Sequence, residues 1–147
     1  MQIAKQREEF APNFGSARLS RANLENANLS EAKAPFVDFR EANLTRASLL
    51  DALLQHADLR NANLQDADLT GAQLQSARMQ GANLCGANLR EAKGLTQDQV
   101  DSAFGDAATH LPATMRAPAH WPTVKLTALE ARLKWRPDPG AYAHSAD

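Results

Sequence analysis

The stretch Ala47–Leu64, ASLLDALLQHADLRNANL, can be read in two ways. Leu49, Leu50, Leu53 and Leu54 fall at the spacings of an amphipathic helix. Followed into HADLR and NANLQ, the same text keeps another beat: a leucine at every fifth residue, with an alanine two residues before it. That second pattern extends far beyond the stretch. Leucine or a substitute recurs from Phe14 to Leu89, and alanine or a substitute from Pro12 to Ala87, in sixteen units without a slip. Self-similarity of this kind outranks local periodicity.

Neither regular element can bury a period of five on one side. On an α-helix, five residues advance about 500°, which scatters successive leucines around the axis. In a flat strand an odd period sends them to alternate faces. A chain that bends at every unit can aim each leucine at a common axis. The expected fold is therefore an all-β solenoid, filled by one large and one small residue per unit. Leu49 and Leu54 are then central and buried, whereas Leu50 and Leu53 face outward.

The A-[D/N]-L-x-x units, as in HADLRNANLQDADLTGAQL, resemble those of the pentapeptide-repeat proteins. The resemblance covers roughly residues 12–93 and implies a right-handed quadrilateral β-helix of about four coils. Residues 1–11 are expected to form an N-terminal cap with Phe10 over the first coil, and residues 94–147 a helical cap and a Pro-containing tail. This tail, GLTQDQVDSAFGDAATHLP followed by PAHW, also resembles those of many bacterial members. Stacking every twentieth residue gives a column Asn23, Asn43, Asn63 and Asn83, suited to amide hydrogen bonds from coil to coil. Asp38 and Asp58 lie beside Arg40 and Arg60, expected as solvated ion pairs of little worth. Ala34 replaces a central leucine, and Val37 and Phe39 are expected to restore the lost volume.

Two capping boxes punctuate the tail. Thr96 and Gln99 open a helix expected from Thr96 to Phe104, stopped by Gly105. Thr127 and Glu130 open TALEARLKW, stopped by Pro137 and Pro139. The first helix has an evident task, because a solenoid ends in an open apolar cross-section and unpaired edges.

The bulk chemistry excludes more than it indicates. A net charge of -1 gives no footprint for nucleic acid. The N-terminus has no apolar signal region, and no run approaches the ~18 apolar residues that span a bilayer, so a soluble, cytoplasmic protein without membrane contact is expected. Cys85, the single cysteine, falls on an outward position away from His56 and is expected as an exposed, unreactive thiol. His110, His120 and His144 lack metal-ligand spacing, and Gly71, Gly81 and Gly86 are turn positions of the repeat. No catalytic, metal or cofactor site is expected, and a rod filled with leucine is not an enzyme.

What remains is a structural or interaction module with a protein partner not identified by the sequence. Phe36, Leu50, Leu53 and His56 form its candidate surface. Trp121, Leu126, Leu129, Leu133 and Trp135 must pack on the rod, on one another or on a second chain, which makes a homodimer through the tail a second expectation. The family resemblance implies an alternative, a DNA mimic that modulates gyrase as the quinolone-resistance members do. That reading needs an acidic rod. Between Pro12 and Glu91, nine acidic side chains stand against eight basic ones, which disfavours it.

Overall fold

A computed structural model describes residues 13–142; the expected N-terminal cap and Phe10 lie outside the described residues. Parallel bridges join residues twenty apart, as in Asn23 to Asn43 to Asn63 to Asn83. Central residues other than Met79 donate their amides to the next coil, and the residues before them donate back. Leu44 N thus reaches Asn63 O at 2.7 Å, and Asn63 N reaches Ala42 O at 2.9 Å.

Between successive sides the chain turns. The amide of each small residue closes back on the preceding central carbonyl, as Ala47 N does on Leu44 O at 3.0 Å. The second residue after each central one takes a positive φ, 58° at Arg46 and 62° at Phe36, as in a type II turn. Non-glycine residues resist this geometry by about 1–2 kcal/mol each. The coil-to-coil bond made by the same residue offsets that strain, as where Arg46 N donates to Gln65 O at 2.9 Å.

One amide per unit is left over, that of the residue after the leucine. The asparagine or aspartate before the leucine accepts it. Thr45 N bonds Asn43 Oδ1 at 3.1 Å, Arg60 N bonds Asp58 Oδ1 at 3.2 Å, and Cys85 N bonds Asn83 Oδ1 at 3.0 Å. This turn closure, rather than a continuous amide ladder, is the main work of the asparagine column. Asn43 does reach Asn23 at 3.4 Å and Asn83 reaches Asn63 at 3.1 Å, but the middle step is not made.

Inside, Leu44, Leu49, Leu54, Leu64 and Leu84 are sealed from solvent together with the alanines before them. Each such leucine contributes about 1.5–3 kcal/mol by burial. Ala34, Val37 and Phe39 are all buried too, so the smaller residue and its larger neighbours share one layer.

The C-terminal segment departs from the sequence reading in detail. Helix α1, Gln97–Asp101, carries the Thr96–Gln99 capping box but stops at Ser102. Gly105 is not its stop. Phe104 instead bridges Asn83, with its amide on Ala82 O at 2.9 Å, so the ladder claims the residues that helix propensity assigned to α1. Gly105 is needed for another reason: a Cβ there would lie 2.6 Å from the Trp121 ring. Leu95, Val100, Ala103 and Trp121 extend the core, and Gln99 Nε2 donates to Leu74 O and Ala77 O at 2.9 and 2.8 Å. Helix α2, Ala128–Lys134, starts at the Thr127–Glu130 box as expected, and a 3-10 turn, Pro139–Tyr142, follows.

Candidate functional site

The tail lies along the rod of its own chain. Leu126 and Ala131 cluster with Cys85, with Phe104 packed against them. Trp135 Nε1 donates to Gly81 O at 2.8 Å, and Asn61 is bonded twice by Asp138, through its amide at 2.7 Å and its carbonyl at 2.9 Å. Glycine at 81 makes this approach fit, since a Cβ would stand 2.8 Å from Asp138 N. Asp106 ties tail to rod at the upper end. Buried, it accepts from the amides of Gly86 at 3.1 Å, Ala108 at 3.0 Å and Leu126 at 2.9 Å. Sequence reasoning passed over Asp106, although an aspartate three residues before Thr109 is the mark of a side-chain-closed turn.

This path corrects two expectations. Cys85 is not exposed: it is only 2% accessible, because the tail covers its outward position. Burial first, then the charges of Asp106 and Asp66, push its thiol up to about 12, so it carries no thiolate near neutral pH. The Asp58–Arg60 pair is not a solvated one either. Arg60 is 4% accessible beneath Ala141 and Tyr142.

The face beside it forms a groove lined by Phe36, Asp38, Arg40, His56, Asp58 and Arg60 among others. Asp38 takes Arg40 through two bonds of 2.9 and 2.8 Å, and Asp58 takes Arg60 likewise at 2.8 and 2.5 Å. The Arg40 hydrogen bond holds the Asp38 carboxyl below its ordinary range, and that of Asp58 raises Arg60. Phe36 and His56 stack in parallel, 4.6 Å between ring centres. Tyr142 rests over the Arg60 guanidinium, its hydroxyl raised in pKa by burial.

The sequence-derived surface residues do not converge on one spot. Leu50, 37% exposed, sits in the turn before the side that carries Leu53. Leu53 keeps the outward position of its column but is half-buried there between its bridge partners Lys33 and Gln73. Phe36 and His56 belong to the turn after that side. Of the tail residues, Trp121 and Leu126 are buried and Trp135 is half-buried, whereas Leu129 and Leu133 point to solvent.

Among the described residues no three His, Cys, Asp or Glu groups gather to hold a metal ion, and every buried side-chain polar atom has a partner. His110 Nδ1 meets Arg90 at 3.2 Å, and His120 Nε2 donates to Ala103 O at 3.0 Å. His144 lies outside the described residues. No described helix is long and apolar enough to cross a membrane.

A closely filled solenoid with twenty-residue coils and a docked tail defines a class of β-helical solenoid proteins. The chain belongs to the pentapeptide-repeat family: eight copies of the family's repeat match residues 13–46 and 52–90. Proteins of this family fold as right-handed quadrilateral β-helices and are generally structural or interaction proteins. Among solved structures, the pentapeptide repeat protein Rfr23 from the cyanobacterium Cyanothece 51142 is 24% identical. It covers 82% of this chain and 97% of its own, with a TM-score of 0.54, and shares the fold. A pentapeptide repeat protein from Nostoc Pcc 7120 is 32% identical over 88% of this chain and 89% of its own, with a TM-score of 0.41. One from the Arabidopsis thaliana thylakoid lumen is 24% identical over 87% and 92%, also at 0.41. No curated protein matches the chain.

Proposed function

We propose that the protein is a non-enzymatic interaction module of the cytoplasm. Its rod, of about four coils closed by α1, presents rigid flat sides to a protein partner. The observation that carries this reading is a small set of large apolar side chains left outside: Phe36, Leu129 and Leu133 are each about three-fifths exposed. A tail selected only to cover its own rod gains nothing from outward leucines.

Leu129 and Leu133 stand one helical turn apart on α2, whose first turn carries Glu130 and whose last carries Arg132 and Lys134. Two such helices set antiparallel about a twofold axis bury leucine on leucine and place acidic starts beside basic ends, which favours a homodimer through the tail. The gyrase reading has no comparable support, because carboxylates and arginines on the rod pair with one another.

The test of the module reading is affinity capture of the intact tagged chain from its native cell, followed by mass spectrometry. A stoichiometric protein partner is expected. Recovery of the chain alone, from cells in which it is expressed, contradicts the reading.

A further inference from the structure

The groove beside Arg60 has a volume of about 500 Å³, inside the ~300–1,000 Å³ range of pockets that take ligands. Two of its lining arginines already meet the chain's own tail. Tyr142 lies over the Arg60 guanidinium at 4.8 Å and near that of Arg40 at 5.9 Å. Its hydroxyl donates to Arg60 O at 3.2 Å, and Arg60 Nη1 donates to Ala141 O at 3.0 Å. The face thereby displays what it accepts: a short piece of polypeptide, its aromatic ring on a guanidinium plane and its carbonyl on the same cation.

These planes are preorganised. Asp38 and Asp58 each grip an arginine through two bonds, so neither side chain has much freedom left to lose on binding. Beyond Tyr142 the groove is open, and Arg40 is still partly accessible. Its far wall is the Phe36–His56 stack, with Phe36 exposed and held flat against the imidazole. An immobilised aromatic wall, in a groove continuous with the tail's own interface, is a second position of the same kind, unfilled.

We infer that this groove docks an extended segment of a partner protein carrying an aromatic side chain, which inserts between the Phe36–His56 stack and Arg40, alongside Tyr142. The inference rests on the interaction-module reading and names its site. Nucleic acid fits less well, since two of the three arginines lining the groove, Arg40 and Arg60, are neutralised by Asp38 and Asp58, and phosphate binding draws on uncompensated cations.

The test is selection of a random-peptide phage library on the intact chain. The best peptide, labelled with fluorescein, is then titrated by anisotropy against wild type, Phe36→Ser, and the pair Leu129→Ser with Leu133→Ser. Serine is native at the same turn position in Ser16 and Ser76, so Phe36→Ser leaves the fold in place. The expected peptides share an aromatic residue, lose about tenfold or more in affinity on Phe36→Ser, and ignore the leucine changes. Peptides lacking an aromatic residue, or indifferent to Phe36→Ser, overturn the groove. Peptides lost only with the leucine changes move the contact to α2 and overturn the groove while sparing the wider reading. A selection that enriches nothing also overturns the groove, and capture from cells judges the module reading independently.

Discussion

Replacing Asp106 with asparagine loosens the tail, and Cys85 reports it. In the native chain Oδ2 of Asp106 accepts the Leu126 amide at 2.9 Å, while Oδ1 holds Gly86 and Ala108. Asparagine keeps one acceptor and turns the other into a donor, so the buried Leu126 amide faces a donor and loses its partner. A buried donor left unpaired costs about 1–3 kcal/mol. That cost falls on the docked tail alone, because a lifted tail leaves both groups to water. The open population therefore rises about 5- to 150-fold. Cys85 clusters with Leu126 and Ala131, and its raised pKa keeps it protonated while they cover it. It reacts only in open molecules. The assay is the rate of Ellman's reagent at mildly alkaline pH, each rate normalised to the same variant in urea. Because Asp106 also contributes to the raised thiol pKa, the normalised rates are compared over a pH series, where a changed pKa alters the pH dependence and a changed open population scales the rate at every pH. Wild type is expected to react far more slowly than its urea control, and Asp106→Asn faster by the factor above. A native thiol reacting at the urea rate refutes its burial, and a variant within twofold of wild type refutes the anchor.

Other perturbations separate core from surface. Leu54→Ala is expected to destabilise by about 2–5 kcal/mol, whereas Leu50→Ser should stay within about 0.5 kcal/mol; denaturant melts of the two decide whether the register is right. Gly86→Ala meets Asp66 Oδ1 at 2.0 Å, so it lowers the melting temperature, and Asp66→Ala in the same chain should restore much of the loss. If dimerisation runs through α2, sedimentation shows a concentration-dependent dimer that Leu129→Ser with Leu133→Ser abolishes; a wild-type monomer at high concentration ends that proposal. The Asp38 carboxyl is depressed by Arg40, so its stabilisation is present above the unfolded value of about 3.9 and lost as pH falls below it through the folded pKa. The stability gap between wild type and Arg40→Gln should accordingly narrow in acid, and a gap independent of pH contradicts the pairing.

The parts of the fold legible in the sequence are those fixed within one unit. Whether Leu49 points in and Leu50 points out depends on the turn between them, and the turn recurs in every unit. The same locality made the two capping boxes readable. What escaped was set by distant contacts. Cys85, Arg60, Asn61 and Gln65 all occupy outward positions of the repeat, yet all are buried because the tail crosses them. The tail has no period to betray its course. Gly105 read as a helix stop because propensity is local, while the bridge from Phe104 to Asn83 that shortens α1 is not. In the candidate groove, Phe36 and His56 were legible as members of the candidate surface. The role of Arg40 and Arg60 as platforms became visible only once Tyr142 was seen resting over one of them.

That each unit is one side of a rod, with its leucine inward and its amides tied to neighbouring coils, is tested most directly by residue-resolved hydrogen exchange. Four amides of each unit from Val37 to Gly71 bond to backbone carbonyls, three in the two units after them, where Ser76 and Met79 make no such bond, and the amide after the central residue has only the preceding Asn or Asp side chain. Ser48, Leu53, Gln73 and Arg78 do not make that bond for Leu50, Gln55, Gln75 and Gln80. Protection is expected to dip at every fifth residue and to fall deepest at those four. Uniform protection through Ala47–Leu54, or a dip with helical spacing, contradicts the rod.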